Sequence, residues 1–199
     1  MSDVLLFHSV LGLRAGVLEA ADRLRAAGHT VHTPDYYAGR TFDEYPPAFE
    51  WLESIGGIPD VIARGSAAAA GLPAGLVYAG FSLGGVPAEL LAGTRPGAKG
   101  LILLHTAIPL DGLGVPEWPA TVPVQVHFAT ADPYRDKAEL DSFEASVRAS
   151  GAPYELFDYP GSGHLFTDQG LAGEYDEASA ELLFSRVLAF LDRIDHGQG

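Results

Sequence analysis

Gly75 to Gly85, GLVYAGFSLGG, constrains the fold more than any other stretch of this 199-residue chain. An apolar run, Leu76-Val77-Tyr78-Ala79, leads into Gly80-Phe81-Ser82-Leu83-Gly84-Gly85 and then into the helix-favouring PAELLAG. Strand, sharp turn and helix with a serine at the apex is the context that the G-x-S-x-G nucleophile motif requires. The reason is steric. Ser82 must sit on a strained turn for its hydroxyl to project from the end of a sheet, and Gly80 and Gly84 remove side chains that would collide there. A chemically silent Gly-rich turn can use the same residues, so partners must be sought elsewhere in the chain.

The rest of the sequence repeats the same alternation. Asp3 to His8 reads as a strand buried on both faces. A helix over about Arg14 to Ala27 follows, with Val17, Leu18, Ala21 and Leu24 at helical spacing, and Gly28 stops it. His29 to Pro34 reads as a second strand, and two helical pieces over about Phe42 to Ile55 and Pro59 to Ala70 are broken by Gly56-Gly57. After the Ser82 unit, whose helix runs to about Ala92, come strands over Ala98 to His105 and Val122 to Ala129, joined by a Pro/Gly-rich connection containing Trp118. A helix over Asp136 to Ala149, a sixth strand over Tyr154 to Tyr159 and a closing helix over Ala178 to Ile194 complete the pattern. Such alternation predicts an α/β fold: a three-layer αβα sandwich around a doubly wound, mostly parallel six-stranded sheet. One domain over residues 1–199 is expected, with a tail frayed from about 195 to 199.

Hydrophobic residues make up 47% of the chain, which excludes a disordered protein. Lys plus Arg is 12 and Asp plus Glu 26, giving 12 − 26 = −14. So negative a surface repels nucleic acid and anionic membranes, and neither is expected as a partner. The absence of cysteine excludes disulfides, thiolate metal sites and a Cys nucleophile. The first residues lack a basic n-region, and no window reaches the eighteen or so apolar residues of a membrane helix, so a cytoplasmic protein, a monomer or weak homodimer, is expected.

In parallel sheets chemistry gathers at the carboxyl ends of the strands, and this supplies a filter for partners of Ser82. A serine hydroxyl becomes nucleophilic only when a base takes its proton and a carboxylate holds that base in the correct tautomer. Asp132 ends the fifth strand and His164 follows the sixth, in the order Ser, Asp, His. Asp136 rivals Asp132, whose Asp-Pro step is also ordinary turn chemistry. His29 and His32 lie at the wrong edge, His127 reads as a core histidine, and His196 lies in the tail. His8 and His105 end strands one and four, where they line a pocket or sit in the core. No H-x-x-x-H or H-E-x-x-H spacing joins His8, His105 and His164, so neither a metal nor any other cofactor is expected. Donors for a tetrahedral oxyanion should be the backbone N–H groups of Leu83, at a helix start, and Val10, in the turn Ser9-Val10-Leu11 after the first strand. Ser9, Leu11, Tyr37, Phe81, His105, Trp118 and Phe166 are candidates for the pocket wall, although large aromatics at such positions are as readily plain core.

Taken together these residues resemble the dienelactone hydrolase group of α/β-hydrolases. The likeness rests on Gly12-Leu13 and the Ala-Ala-Gly helix end, Pro34-Asp35-Tyr36-Tyr37-Ala38-Gly39, Gly80 to Gly85, Asp132-Pro133 and Gly163-His164-Leu165-Phe166, five pieces in the correct order. It implies an α/β-hydrolase core without a large cap, Ser82, Asp132 and His164 as a triad, and hydrolysis of small esters, lactones or thioesters. The chain departs from the founding members in carrying Ser82 where they have cysteine, Ser9 where they have glutamate, and Asp168 about where they have a substrate-gripping arginine. An aspartate there would repel a carboxylate, so an uncharged ester fits better than dienelactone. The expectation is a serine carboxylester hydrolase; the alternatives are an acyltransferase using the same triad and a non-catalytic small-molecule binding protein.

Overall fold

The computed structural model describes residues 1–197. Its centre is a six-stranded sheet in the order β2-β1-β3-β4-β5-β6, formed by β1 (Asp3–Phe7), β2 (Thr30–His32), β3 (Leu76–Phe81), β4 (Gly100–Leu104), β5 (Val124–Ala129) and β6 (Tyr154–Tyr159). Every pairing is parallel. Every residue of β3, β4 and β5 is buried, which suits the apolar runs of β3 and β4, while the two polar residues of β5, Gln125 and His127, are buried 2.9 Å from one another. The edge strand β6 tolerates Glu155 and Asp158, and only three residues of the expected second strand pair, since Pro34 has no amide to donate.

The helices are α1 (Ala15–Ala26), α2 (Tyr45–Ser54), α3 (Gly57–Ala70), α4 (Gly85–Thr94), a single turn α5 (Leu110–Leu113), α6 (Lys137–Ala149) and α7 (Glu177–Asp195). Strand order reverses between β1 and β3. With right-handed crossovers, that reversal puts α1 on one face and α3, α4 and α6 on the other. α7 returns to the face of α1, where Arg23 and Glu181 pair at 2.5 Å. The reversal also opens a crevice above the ends of β1 and β3, where α/β sheets bind ligands. Among the described residues no helix is long and apolar enough to cross a membrane.

Two local expectations change. Leu18 is 40% exposed, because the buried stripe of α1 runs through Val17, Ala20, Ala21 and Leu24 instead. The closing helix runs from Glu177 to Asp195, one residue beyond the expected range at each end; Asp195 accepts a hydrogen bond from Ser2 Oγ at 2.6 Å, and the Gly197 amide reaches Ile194 O at 3.2 Å. The rest of the expected frayed segment, residues 198 and 199, lies outside the described residues.

Candidate active site

β3 ends at Phe81 and the chain turns at once through a single 3₁₀ turn, Ser82–Gly84, into α4. Ser82 has φ +48°, in the left-handed region that costs a non-glycine residue of order 1 to 3 kcal/mol. A Cβ on Gly80 would lie 2.1 Å from Gly84 O, and one on Gly84 would lie 2.6 Å from the carbonyl oxygens of Phe7 and His8. Only glycine permits this approach of the turn to itself and to β1.

Two further strand ends supply the partners of Ser82. His164 Nε2 lies 2.7 Å from Ser82 Oγ, and His164 Nδ1 lies 2.8 Å from Asp132 Oδ2. The Asp132 side chain is fully buried, and its other oxygen accepts from the Tyr134 amide at 2.8 Å, so both oxygens are engaged. The rival Asp136 is the N-cap of α6, accepting from the Ala138 and Glu139 amides, and does not touch the histidine. Leu83, in the first turn of the helical segment, has an amide of the kind that lacks an intrahelical acceptor, and Val10 lines the same cavity.

His164 sits on a loop that is tied down. Glu174 Oε2 accepts from the Leu165 amide at 2.6 Å and from the Tyr45 hydroxyl at 3.0 Å, joining the histidine loop to α2. Burial raises the Tyr45 phenol, and the Glu174 carboxylate raises it further, so it stays a donor. The rings of Tyr134 and Tyr45 stand 4.6 and 6.0 Å from the His164 ring.

The remaining histidines have other roles. His127 is a satisfied core residue, its nitrogens 2.8 Å from Tyr159 OH and 2.9 Å from Gln125 Oε1, with burial and then the Arg186 charge lowering it to about 3. His8 is buried and stacked 3.6 Å from Tyr36, its Nδ1 2.8 Å from Ser9 O; burial lowers it to about 4, and it does not line the cavity.

The cavity above Ser82 has a volume of about 220 Å³. Its wall is mostly apolar, built by Phe49, Leu52, Ile58, Val86, Ile108 and Phe128, and also includes Asp136 and Glu139. Of the side chains expected to form it, His105 is the one that does so. Tyr37 is buried against His8 and Phe42. Trp118 packs on Phe143 and donates to Val122 O at 2.9 Å. Phe166 wedges between His105 and Tyr159, while Phe81 lies buried against His105. Ser9 Oγ accepts the Leu11 amide at 3.2 Å within its own turn, and Leu11 is buried. The large rings are more stable in the core than in a wet cleft, which is why they leave it. Asp168 also differs from expectation: it accepts from Arg14 Nε at 2.9 Å and does not line the cavity, so it repels nothing there.

The wall that sequence reasoning missed comes from α2, the start of α3 and the loop after Asp132. Its signal was present: Tyr45, Phe49 and Leu52 recur at i, i+4 and i+7, one helical stripe, and Phe49 is left 41% exposed at the cavity mouth.

Residues 2–195 match the family model described as the dienelactone hydrolase family. No curated protein matches the chain. Among solved structures, a dienelactone hydrolase-like promiscuous phosphotriesterase from metagenomic libraries superposes with a TM-score of 0.81 at 18% identity, covering 98% of this chain and 87% of that one. A protein designated m3DLH gives 0.78 at 23% identity, with 97% and 86% covered. Esterase 2 of Thermogutta terrifontis, phosphonylated by cyclosarin, gives 0.62 at 16% identity, with 99% and 83% covered. At such identities these structures share the fold with this chain.

Proposed function

Because the chain belongs to the dienelactone hydrolase family, a family of hydrolases, we propose that it is a serine hydrolase of small, uncharged carboxylic esters, with Ser82 as nucleophile. The observation that carries this reading is the continuous relay from Ser82 Oγ through His164 to Asp132, at 2.7 and 2.8 Å. His164 accepts the Ser82 proton as Oγ bonds to the acyl carbon, and Asp132 stabilises the imidazolium. The Leu83 and Val10 amides receive the negative charge on the carbonyl oxygen, each such donor contributing about 3 to 4 kcal/mol of barrier lowering. Collapse of the tetrahedral adduct breaks the bond to the alkoxy oxygen, which takes the proton from His164, leaving an acyl-Ser82 ester. Water, deprotonated by His164, then releases the acid and restores the hydroxyl.

Substrate charge follows from the cavity wall. It contains Asp136 and Glu139 and no Lys or Arg, which disfavours a carboxylate-bearing substrate. The test is a fluorophosphonate with intact-mass readout at about pH 8, where an ordinary histidine is neutral. One adduct on the wild type and none on Ser82→Ala is expected. An unmodified wild type, or an adduct that survives Ser82→Ala, would sink the proposal.

A further inference from the structure

His105 immediately follows β4 and Ser82 immediately follows β3, two strands paired through Phe81 and Leu104, and both residues have left-handed backbone, φ +67° for His105 and +48° for Ser82. Its ring is fully buried, yet neither nitrogen has a hydrogen-bond partner. That is unusual for a buried imidazole, and in this fold it contrasts with His127, equally buried and paired on both nitrogens. The aromatic neighbours of the His105 ring are Phe81 at 6.3 Å, Phe166 at 4.7 Å and His164 at 5.8 Å. Two of these carry no hydrogen-bonding group, and both nitrogens of His164 are taken by Ser82 and Asp132. The cavity, which His105 lines together with Ser82 and His164, is where a partner can enter.

We propose that His105 is the specificity-determining residue of this site: its imidazole hydrogen-bonds an uncharged oxygen of the substrate close to the scissile carbonyl, selecting oxygen-bearing esters over plain alkyl esters. The proposal rests on the serine hydrolase reading above. Burial, reinforced by His164 nearby, lowers the His105 ring well below the usual histidine range, so it is neutral and offers one N–H donor and one lone pair. A neutral donor suits an ether, ketone or ring oxygen, and the lone pair suits a hydroxyl. An alkyl ester of the same shape leaves both nitrogens unpaired at the moment the cavity is filled and dry. Sites built to hydrogen-bond a substrate group discriminate strongly against analogues that lack it. For one neutral hydrogen bond the expected preference is roughly 10- to 100-fold.

The oxygen can lie on the acyl or the alcohol side, and two matched pairs distinguish them: p-nitrophenyl methoxyacetate against butanoate, and 2-methoxyethyl acetate against butyl acetate. Each kcat/KM ratio is divided by the ratio for hydroxide hydrolysis, which removes intrinsic reactivity. The wild type should prefer the ether at least about 10-fold in one arm, and His105→Phe should bring that ratio close to one. His105→Asn, which tolerates left-handed backbone and keeps a hydrogen-bonding amide, should retain part of it. Corrected ratios near one in both arms for the wild type alone overturn the proposal, whatever the variants do, and so does a preference that persists in His105→Phe. A wild type that takes the fluorophosphonate but turns over none of the four esters overturns the substrate claim while the nucleophile assignment stands. With no adduct either, both readings go.

Discussion

Glu174 accepts the amide proton of Leu165 at 2.6 Å, and Leu165 is the residue after His164. The same carboxylate oxygen holds the Tyr45 hydroxyl, and a Cβ on Gly163 would lie 2.2 Å from Glu174 O, so the loop is clamped on both sides of the histidine. Glu174→Ala removes the acceptor and leaves two donors unpaired. Turnover should fall by roughly 10²-fold, the size expected when a reacting group is displaced by about 1 Å. Glu174→Gln keeps an acceptor oxygen and should restore most of the activity; steady-state ester kinetics on the pair separate positioning from a general loss of fold.

The three relayed residues should be unequal in their effects. By the behaviour of other serine triads, His164→Ala should lower kcat roughly 10⁶-fold and Asp132→Asn roughly 10⁴-fold. Combining His164→Ala with Ser82→Ala should cost little more than either alone, since the two act as a unit. Single-turnover release of p-nitrophenol measures all three, and additive losses would mean the residues act independently.

Acid should destabilise the protein through His8. Folded, it is lowered to about 4 from the usual 6.5, so between these pH values the unfolded chain binds a proton that the folded chain does not. Stability is fully present above pH 6.5 and is lost as pH falls, by about 1.4 kcal/mol per unit. His8→Phe, which keeps an aromatic ring against Tyr36, should flatten the dependence by about that slope in denaturant titrations between pH 6.5 and 5. An unchanged slope would mean that His8 is already protonated in the fold.

Glu89 works in the opposite direction. It is buried in α4 with one carboxyl oxygen accepting from the Ile108 amide at 3.1 Å and the other without a partner, and burial raises it well above the usual carboxyl range. The folded chain therefore holds a proton that the unfolded chain releases above about pH 4.5, and stability declines as pH rises. Glu89→Gln should melt higher than the wild type at pH 7.5, with the gap closing toward pH 5. A gap that is constant with pH would show that the carboxyl ionises normally in place.

What the sequence revealed follows a physical division. The grouping of Ser82, Asp132 and His164 was legible because each lies in the chain just beyond the carboxyl end of a strand, and strands announce themselves as apolar runs; chain order supplied the rest. The wall was not legible in the same way. Trp118, Tyr37 and Phe166 were drawn inward by the area they bury, and Tyr45, Phe49 and Ile58 reached the cavity from helices whose placement over the sheet depends on long-range packing. Asp168 shows the limit of reading charge from position: its pairing with Arg14 spans 154 residues and is invisible until the chain is folded.

The parallel order of the sheet has a consequence for synthesis. Ser82 and His164 are 82 residues apart, and the loop bearing the histidine follows the edge strand, which docks against β5. A nascent chain on the ribosome therefore carries Ser82 without His164 beside it until nearly the whole polypeptide has emerged. The proposed activity depends on the final strand, so regain of turnover after dilution from denaturant should keep pace with the docking of β6 rather than with the earlier gain of helix.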